Sequence, residues 1–563
     1  MTFGELKSLI SRGETLTVEF KSDRDKLPDR ALVEAVVAMA NTEGGILLEG
    51  VEDGTGEITG LHRSHIGCGT PEALIANTTV PPVQVTVDEI DCGGGLKVFA
   101  INVPECRGVV GTKGGYYARR RLKLDGTPEA VPMTPFEIQS RASQFQLIDP
   151  SAQPMASVPL SKIDPLQRER AKASIRRSNN SDKALLELGD GDFDRALGLV
   201  KDSGGQDYLT LAGVLLLTDE QTIREHVPTY EIAFQVLSGN LDVQVNDYMH
   251  KPLVEAYDNI VERFTARIEE SEMMVGARRR VAPNFDIVGF REALTNALVH
   301  RDYCVLGTVI VKLDHYGLSI YSPGEFVDGV SLENILSTAP KSRNTLLADI
   351  AKRIGLAERT GRGVDKIFAG VLRYGRRKPS YDRDVGAGLS LTIYRDKANF
   401  AFLNFVIERE ESIRRSLTVD ELLALNLMLR SDEVTVDEVA SEIQRKSETA
   451  QTLLGDLIKW GDVVAVEKDG GMKYALSPKA EQMLGGQSSA GRMDESDYAK
   501  YKTIIKTILK QKGTVKREDV VARCAVDARQ AGYILKKMLD GGEILKIGER
   551  RWSIYKLPDS MNN

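Results

Sequence analysis

The stretch GETLTVEFK, Gly13 to Lys21, sets a carboxylate, Glu19, two residues from an ammonium, Lys21. Read as a strand, it puts Leu16, Val18 and Phe20 on one face and Thr15, Thr17, Glu19 and Lys21 on the other. Such a pair on the polar side of a core strand can help cut a nucleic acid, help hold one, or simply meet water. A second reactive-looking run is GYYARRRLKLDG, an expected edge strand with the consecutive arginines Arg119, Arg120 and Arg121, a basic edge suited to phosphate.

A third set lies in FREALTNALVHRDY. Glu292 and Asn296 are four apart and share a helix face, with His300 on the same line. Phe290, Ala293, Leu294, Ala297 and Leu298 supply the buried side. Glu then Asn at that spacing resembles the N-box of the GHKL ATPases. In that class the Asn holds Mg²⁺ and the Glu orients an attacking water, as phosphoryl transfer requires. GHKL folds also present an Asp at a strand end to read adenine. The matching strand here, LSIYSPGEF, has none. A later TGRGVDKI offers Gly361 and Gly363 as a phosphate loop around Arg362. The plain alternative is a structural helix whose polar residues brace a core.

The elements that must position these groups fall into blocks. Residues 1–150 alternate strand, helix and strand. Pro28 opens a helix running to Ala40, NTEGG stops it, ILLEGVEDG is a strand ending in an acidic turn, and LKVFAINVP is a second buried strand. Residues 151–410 are mixed: LTLAGVLLLT is a strand or a helix start, KPLVEAYDNIVERFTARIEE an amphipathic helix, and GTVIVKLDHYGLSIYSPGEF a hairpin-like strand pair. Residues 411–480 read helix–helix–helix–strand–strand, with a wing turning at Asp469-Gly470-Gly471. Residues 481–496 read as a small, polar linker, and 497–563 repeat the helix–wing order. The fold class is α+β multidomain, ending in two tandem winged helices.

The two copies differ in charge. From Asp497 to Leu557 there are 15 Lys and Arg against 7 Asp and Glu, a net of +8. From Ser416 to Pro478 there are 6 against 12, a net of −6. In the last module Asp527 caps a helix with Ala531, Ile534, Leu535 and Met538 toward the core and Arg529, Gln530, Tyr533, Lys536 and Lys537 outward, and its wing adds Lys546, Arg550 and Arg551 beside Trp552. These are residue types that grip phosphates and read base edges in a major groove. In the acidic copy, Ala450, Leu453, Leu454, Leu457 and Ile458 are expected inside and Glu448, Thr449, Gln451, Thr452 and Asp456 outside, a face that repels a polyanion. DNA contact therefore falls to the second copy, and the first meets another part of the protein or a second subunit.

Together, GETLTVEFK, MANTEGGILLEGVEDG and YYARRRLKLDG resemble the Schlafen AlbA-2 domain over about residues 10–145. LTLAGVLLL, REALTNALVHRDY, IYSPGEF and KSRNTLLADIAKRIGLAERTGRGVDKIF resemble the degenerate GHKL-type, RecG-like domain that follows it, over about 155–370. The resemblance implies a DNA-binding transcriptional regulator with winged helices. No GxxxxGK[ST] is present, so helicase activity has no support in the sequence. Eukaryotic Schlafen proteins of this fold include RNA endonucleases with three carboxylates and a divalent metal. The corresponding positions are Glu14, Glu19 and Asp53, all acidic here. That implies an alternative: a nuclease acting on RNA or single-stranded DNA in phage defence, with Mg²⁺ or Mn²⁺ at Glu19 and Asp53. Against it, Glu14 is opposite in parity to Glu19 in a regular strand, and Glu52 competes with Asp53 for the metal.

The whole chain has 563 residues and a net charge of −7, so any nucleic-acid surface is local. The 5 cysteines are scattered, none in C-x-x-C, as in reduced cytosolic proteins. No apolar run approaches the ~20 residues of a membrane span. The expectation is a cytoplasmic, membrane-independent regulator, a homodimer or larger homo-oligomer on duplex DNA. ATP with Mg²⁺ would be sensed through Glu292, Asn296, Gly361 and Gly363, and Glu19 and Lys21 serve chiefly as a paired polar strand face.

Overall fold

The computed structural model describes all residues except 67–69, 239–241, 276–277, 359–361, 385–387, 432, 469–470, 485–494, 525, 527, 548–552 and 559–563. The expected Gly361, Arg550, Arg551, Trp552, the Asp527 cap and the Asp469-Gly470 turn lie outside the described residues, as does the side chain of Arg529.

The N-terminal part is built on a four-stranded sheet in the order Val18–Lys21, Gly45–Glu49, Leu96–Val103, Thr86–Gly93. The first two strands are parallel and joined by the helix Asp29–Ala40, while the others pair antiparallel. Alternation decides the two faces. Leu47, Phe99 and Ile101 pack under Leu32, Val33, Val36 and Val37 of the helix. Val18, Phe20, Leu48, Val98 and Ala100 face the other way, onto Leu6. Glycine is required at the start of the second strand: a Cβ on Gly45, at φ +127°, would run into the Thr17 carbonyl. Thus the NTEGG glycines serve close strand approach.

GYYARRRLKLDG does not join this sheet. Ala118–Leu122 pairs with Pro128–Pro132 as a separate two-stranded ribbon. It is pinned to the end of the Asp29–Ala40 helix, where Asn41 Nδ2 donates to the Val110 and Ala118 carbonyls at 2.7 and 2.9 Å.

The middle part holds a six-stranded sheet in the order Val243–Met249, Ile232–Leu237, Val309–Leu313, Gly317–Pro323, Gly388–Tyr394, Ser380–Asp384. Only Ile232–Leu237 and Val309–Leu313 are parallel neighbours. Leu253–Thr265 and Ile287–Val299 are helices, and the stacked rings of Phe264 and Phe290 join them with centroids 3.7 Å apart. LTLAGVLLLT resolves as a helix, Leu211–Leu217, because the Thr210 side chain caps it by accepting from the Gly213 amide.

Residues after 410 do not form an isolated bead. The helix Phe400–Ile413 runs through the expected boundary at 410/411. Its Phe402, Phe405 and Val406 share one core with Phe368, Leu372 and the helices Val419–Arg430, Val436–Ile443 and Ser447–Lys459. Strands Val463–Lys468 and Gly471–Leu476 complete the helix–helix–helix–strand–strand order. Ile458, expected inside, is 38% exposed, because it falls at the edge of the stripe set by Ala450, Leu454 and Leu457. The expected linker at 481–496 is shortened from its start: Pro478–Met483 is helical, and Ala480 and Leu484 are buried.

The last part has the helices Glu495–Lys512, Arg517–Cys524 and Ala528–Asp540 around a core of its own, with Ile505, Leu509, Val520, Ile534, Leu535 and Met538 inside. Its three short strands lie in the order Val515–Lys516, Ile554–Lys556, Leu545–Ile547. Among the described residues, no helix is long and apolar enough to cross a membrane, and Cys92, Cys106, Cys304 and Cys524 carry free thiols.

Candidate functional site

Glu19 and Asp53 flank one ammonium, with Glu14 near enough to feel the charges of all three. Lys21 Nζ lies 2.5 Å from Glu19 Oε1 and 3.7 Å from Asp53 Oδ2. Glu14 Oε1 accepts from the Phe20 amide at 2.9 Å, which brings its carboxyl back to the strand despite the parity of the sequence. Burial holds the Glu14 carboxyl above its ordinary range, and the charges of Glu19 and Asp53 add to that. Burial also raises Asp53, with Lys21 opposing. Glu52 does not compete for this place. It accepts from Ser22 and Thr59 at 2.7 and 2.8 Å and braces the acidic turn.

The arginine run is not one basic edge. Strand alternation sends Arg120 inward, where it is 3% exposed and forms an ion pair with Glu19. Arg119 binds Glu137 through Nε at 2.7 Å, and Arg121 binds Glu129 at 2.7 Å. Glu19 is therefore clamped between Arg120 and Lys21, and the surface contribution expected of Arg120 is corrected by its burial.

Among the described residues, the acid and histidine side chains whose ligand atoms come within 4.8 Å of one another are Asp23, Glu49 and His65, rather than Glu14, Glu19 and Asp53. Asp23 is 0% exposed and Glu49 3%. Burial, followed by the charge of Asp23, pushes the Glu49 carboxyl up to about 7. Sequence reading passed over this set. Its signal was Glu49 itself, an acid at the parity of Leu47 in a strand whose other face is also apolar.

The Glu292–Asn296 helix lines a cavity of about 340 Å³, together with His300, Gly324, Lys341 and Gly363. Gly363 opens the helix Gly363–Leu372, and a Cβ there would lie 2.8 Å from Glu292 Oε2 and 3.8 Å from Asn296 Nδ2. The glycine that the sequence paired with Glu292 and Asn296 is thus in contact range of both. Burial raises the Glu292 carboxyl, and Lys366 Nζ at 3.9 Å opposes this. The far wall of the cavity continues into a buried junction. Just beyond Lys341 and Ser342, Arg343 Nη1 reaches Asp302 Oδ2 at 2.8 Å, the Ser140 carbonyl at 3.1 Å and Ser143 Oγ at 3.0 Å. Ser140 and Ser143 belong to the helix Pro135–Gln144, next in sequence to the arginine ribbon.

On the Ala528–Asp540 helix, Ala531, Ile534, Leu535 and Met538 are 0% exposed, while Tyr533 and Lys536 are exposed. Gln530 is half-buried, and Lys537 Nζ sits 4.1 Å over the Tyr498 ring. Lys546, on the strand Leu545–Ile547, is exposed. On the Ser447–Lys459 helix the exposed side carries Glu448, Thr449, Gln451 and Thr452.

Comparison with known families agrees with this arrangement. Residues 14–124 match the family "Schlafen, AlbA_2". Residues 309–393 match "Putative ATP-dependent DNA helicase recG C-terminal". The chain thus carries one region that matches the Schlafen AlbA_2 model and one that matches the RecG C-terminal model, the composition its motifs suggested. Residues 141–233 match a domain of unknown function, DUF8451. No curated protein matches the chain. Among solved structures, the DIP2311 protein from Corynebacterium diphtheriae aligns over 99% of this chain and 99% of its own, at 21% identity and a TM-score of 0.48.

Proposed function

We propose that this protein is a cytoplasmic DNA-binding transcriptional regulator that senses a nucleotide and acts as a homodimer or larger homo-oligomer. The observation that carries the reading is the Ala528–Asp540 helix: a fully buried apolar stripe with Tyr533 and Lys536 outward, in a module of net charge +8. A helix presented this way suits a major groove, with the following strands on the backbone, in the manner of a winged helix. Arg529, Gln530 and Lys537 belong to the same proposed surface, as do Arg550 and Arg551 from the sequence. Arg119 and Arg121 offer a weaker second contact, since each is already paired with a glutamate. The acidic copy shares its core with the ATPase-type part, which supports an internal role for it.

The cavity at Glu292 fits a nucleotide in size and in its glycine-cleared floor. Asn296 would hold the Mg²⁺, Glu292 would orient water, and the first turn of the Gly363–Leu372 helix would face phosphate. Bound there, ATP with Mg²⁺ would supply a hydrolysable phosphoanhydride. Arg343 gives the cavity wall a physical route to the Pro135–Gln144 helix, which follows the arginine ribbon, through Ser140 and Ser143. The test is recovery of nucleic acid bound to the full-length protein, followed by sequencing. Enrichment of duplex fragments sharing a motif is expected; no enrichment over input contradicts the proposal.

A second reading, a metal-dependent nuclease, is favoured by the mutual approach of Glu14, Glu19 and Asp53 around Lys21. Incubation with labelled tRNA and single-stranded DNA plus Mn²⁺ distinguishes it. Cleavage lost in Glu19→Ala and Asp53→Ala would establish the enzyme; stable substrates leave the regulator.

A further inference from the structure

We infer that Asp23, Glu49 and His65 form a binding site for one divalent transition cation, of which zinc is the best match. Three segments converge on it. Asp23 follows the strand Val18–Lys21, Glu49 ends the strand Gly45–Glu49, and His65 lies in the turn after it. Its residues differ from Glu14, Glu19 and Asp53 and from those lining the nucleotide cavity.

Glu49 stands where the fold asks for an apolar residue. It pairs across the sheet with Phe99, and Leu47 two residues earlier packs under the Asp29–Ala40 helix. A carboxylate at such a position costs free energy unless its oxygens find partners. Glu49 Oε1 has His65 Nδ1 at 3.2 Å, but among the described residues Oε2 is buried without a hydrogen-bond partner. Asp23, fully buried beside it, also looks to His65 Nδ1, at 2.9 Å from Oδ2. One imidazole N–H thus faces two buried carboxylates. Among the described residues, no Lys or Arg forms an ion pair with either acid.

A cation answers each of these observations. It balances the two charges and, by taking both oxygens of Glu49, would give the orphaned one a partner. In a shell with bonds of about 2.0–2.2 Å, neighbouring donor atoms stand about 3.0–3.5 Å apart. The 2.9 and 3.2 Å spacings of the cluster already come close to that. Asp23 is oriented from behind by the amides of Leu27, at 2.7 Å to Oδ1, and His62, at 2.6 Å to Oδ2, as metal-binding carboxylates commonly are. On metal binding the His65 proton moves from Nδ1 to Nε2, so that the Nδ1 lone pair faces the metal. Any proton held by Glu49 passes to solvent.

The donor set selects the ion. An imidazole with two carboxylates suits zinc better than Mg²⁺ or Ca²⁺, which prefer oxygen alone. Three protein ligands leave a fourth position for water, and the 20% exposure of the His65 side chain gives ions a way in. The site would act as a clip, tying the end of the strand Gly45–Glu49 and the turn at His65 to the segment before the Asp29–Ala40 helix.

The test uses full-length protein, freed of metal by a chelator, titrated with ZnCl₂ by calorimetry and with CoCl₂ by visible absorption. One equivalent of zinc and cobalt d–d bands are expected. Glu49→Gln, which keeps shape and can remain folded, should weaken zinc at least about tenfold, as should His65→Ala. Asp53→Asn should leave zinc binding in place. Melting curves establish that each variant is folded. No zinc uptake by the wild-type protein would overturn the inference. So would equal uptake by folded Glu49→Gln and His65→Ala proteins, or a loss seen only with Asp53→Asn.

Discussion

Arg120 and Glu19 form a buried ion pair across 101 positions of chain, and Lys21 holds the other oxygen of the same carboxylate at 2.5 Å. The Schlafen-type domain thus uses the central residue of its arginine run to hold its first strand to the ribbon.

Arg120→Met should therefore destabilise the protein by about 3–5 kcal/mol, because it leaves a largely buried carboxylate with one partner fewer. Urea unfolding measures this. The salt dependence of DNA binding should not change, since Arg120 offers nothing to a phosphate.

Glu14 predicts a pH effect. Its carboxyl is raised in the folded state, chiefly by burial and then by its acidic neighbours. A folded state that binds the proton more tightly than the unfolded one is favoured at low pH. The contribution is complete below the ordinary carboxylate pKa and is lost as pH rises through the raised value. Glu14→Gln should accordingly be more stable than wild type above that range and converge with it below. Melting temperatures across the pH range check this, and the reverse order would contradict it.

Gly363→Ala places a methyl 2.8 Å from Glu292 Oε2. Glu292 lines the cavity, so its carboxylate would be pushed into the space that a nucleotide would occupy. The variant should lose ATP binding by at least about tenfold, roughly 1.4 kcal/mol, as should Asn296→Ala. Calorimetry with ATP and Mg²⁺ reads both, and no heat in the wild type would remove the nucleotide site.

Arg343 joins that cavity to the Pro135–Gln144 helix while only 2% exposed. Arg343→Met should speed hydrogen exchange in 135–144 and remove any change that ATP causes there. Unaltered exchange would mean that the junction does not couple the two parts.

Much of the fold was legible because long apolar patterns were clear. The Asp29–Ala40 and Ile287–Val299 helices and the Val309–Leu313 and Gly317–Pro323 strands follow their sequence periods. LTLAGVLLLT was ambiguous because an all-apolar run has no period, and only the Thr210 cap decides it. Three adjacent arginines suggested a patch, although strand alternation must send the middle one to the opposite side. Glu292, Asn296 and Gly363 were linked by their chemistry, and the fold brings them together. Asp23, Glu49 and His65 were not, because their order in the chain gives no metal-ligand spacing. The expected boundaries at 410/411 and 480/481 fall where shared cores at Phe402 and Ala480 leave no polar break.

The most direct test of the regulator is the salt dependence of duplex DNA binding by full-length wild type and a Lys536→Ala, Lys537→Ala variant. Loss of two phosphate contacts should weaken binding and lower the slope of log affinity against log salt by about 2. An unchanged slope and affinity would contradict the assignment of DNA contact to the terminal helix.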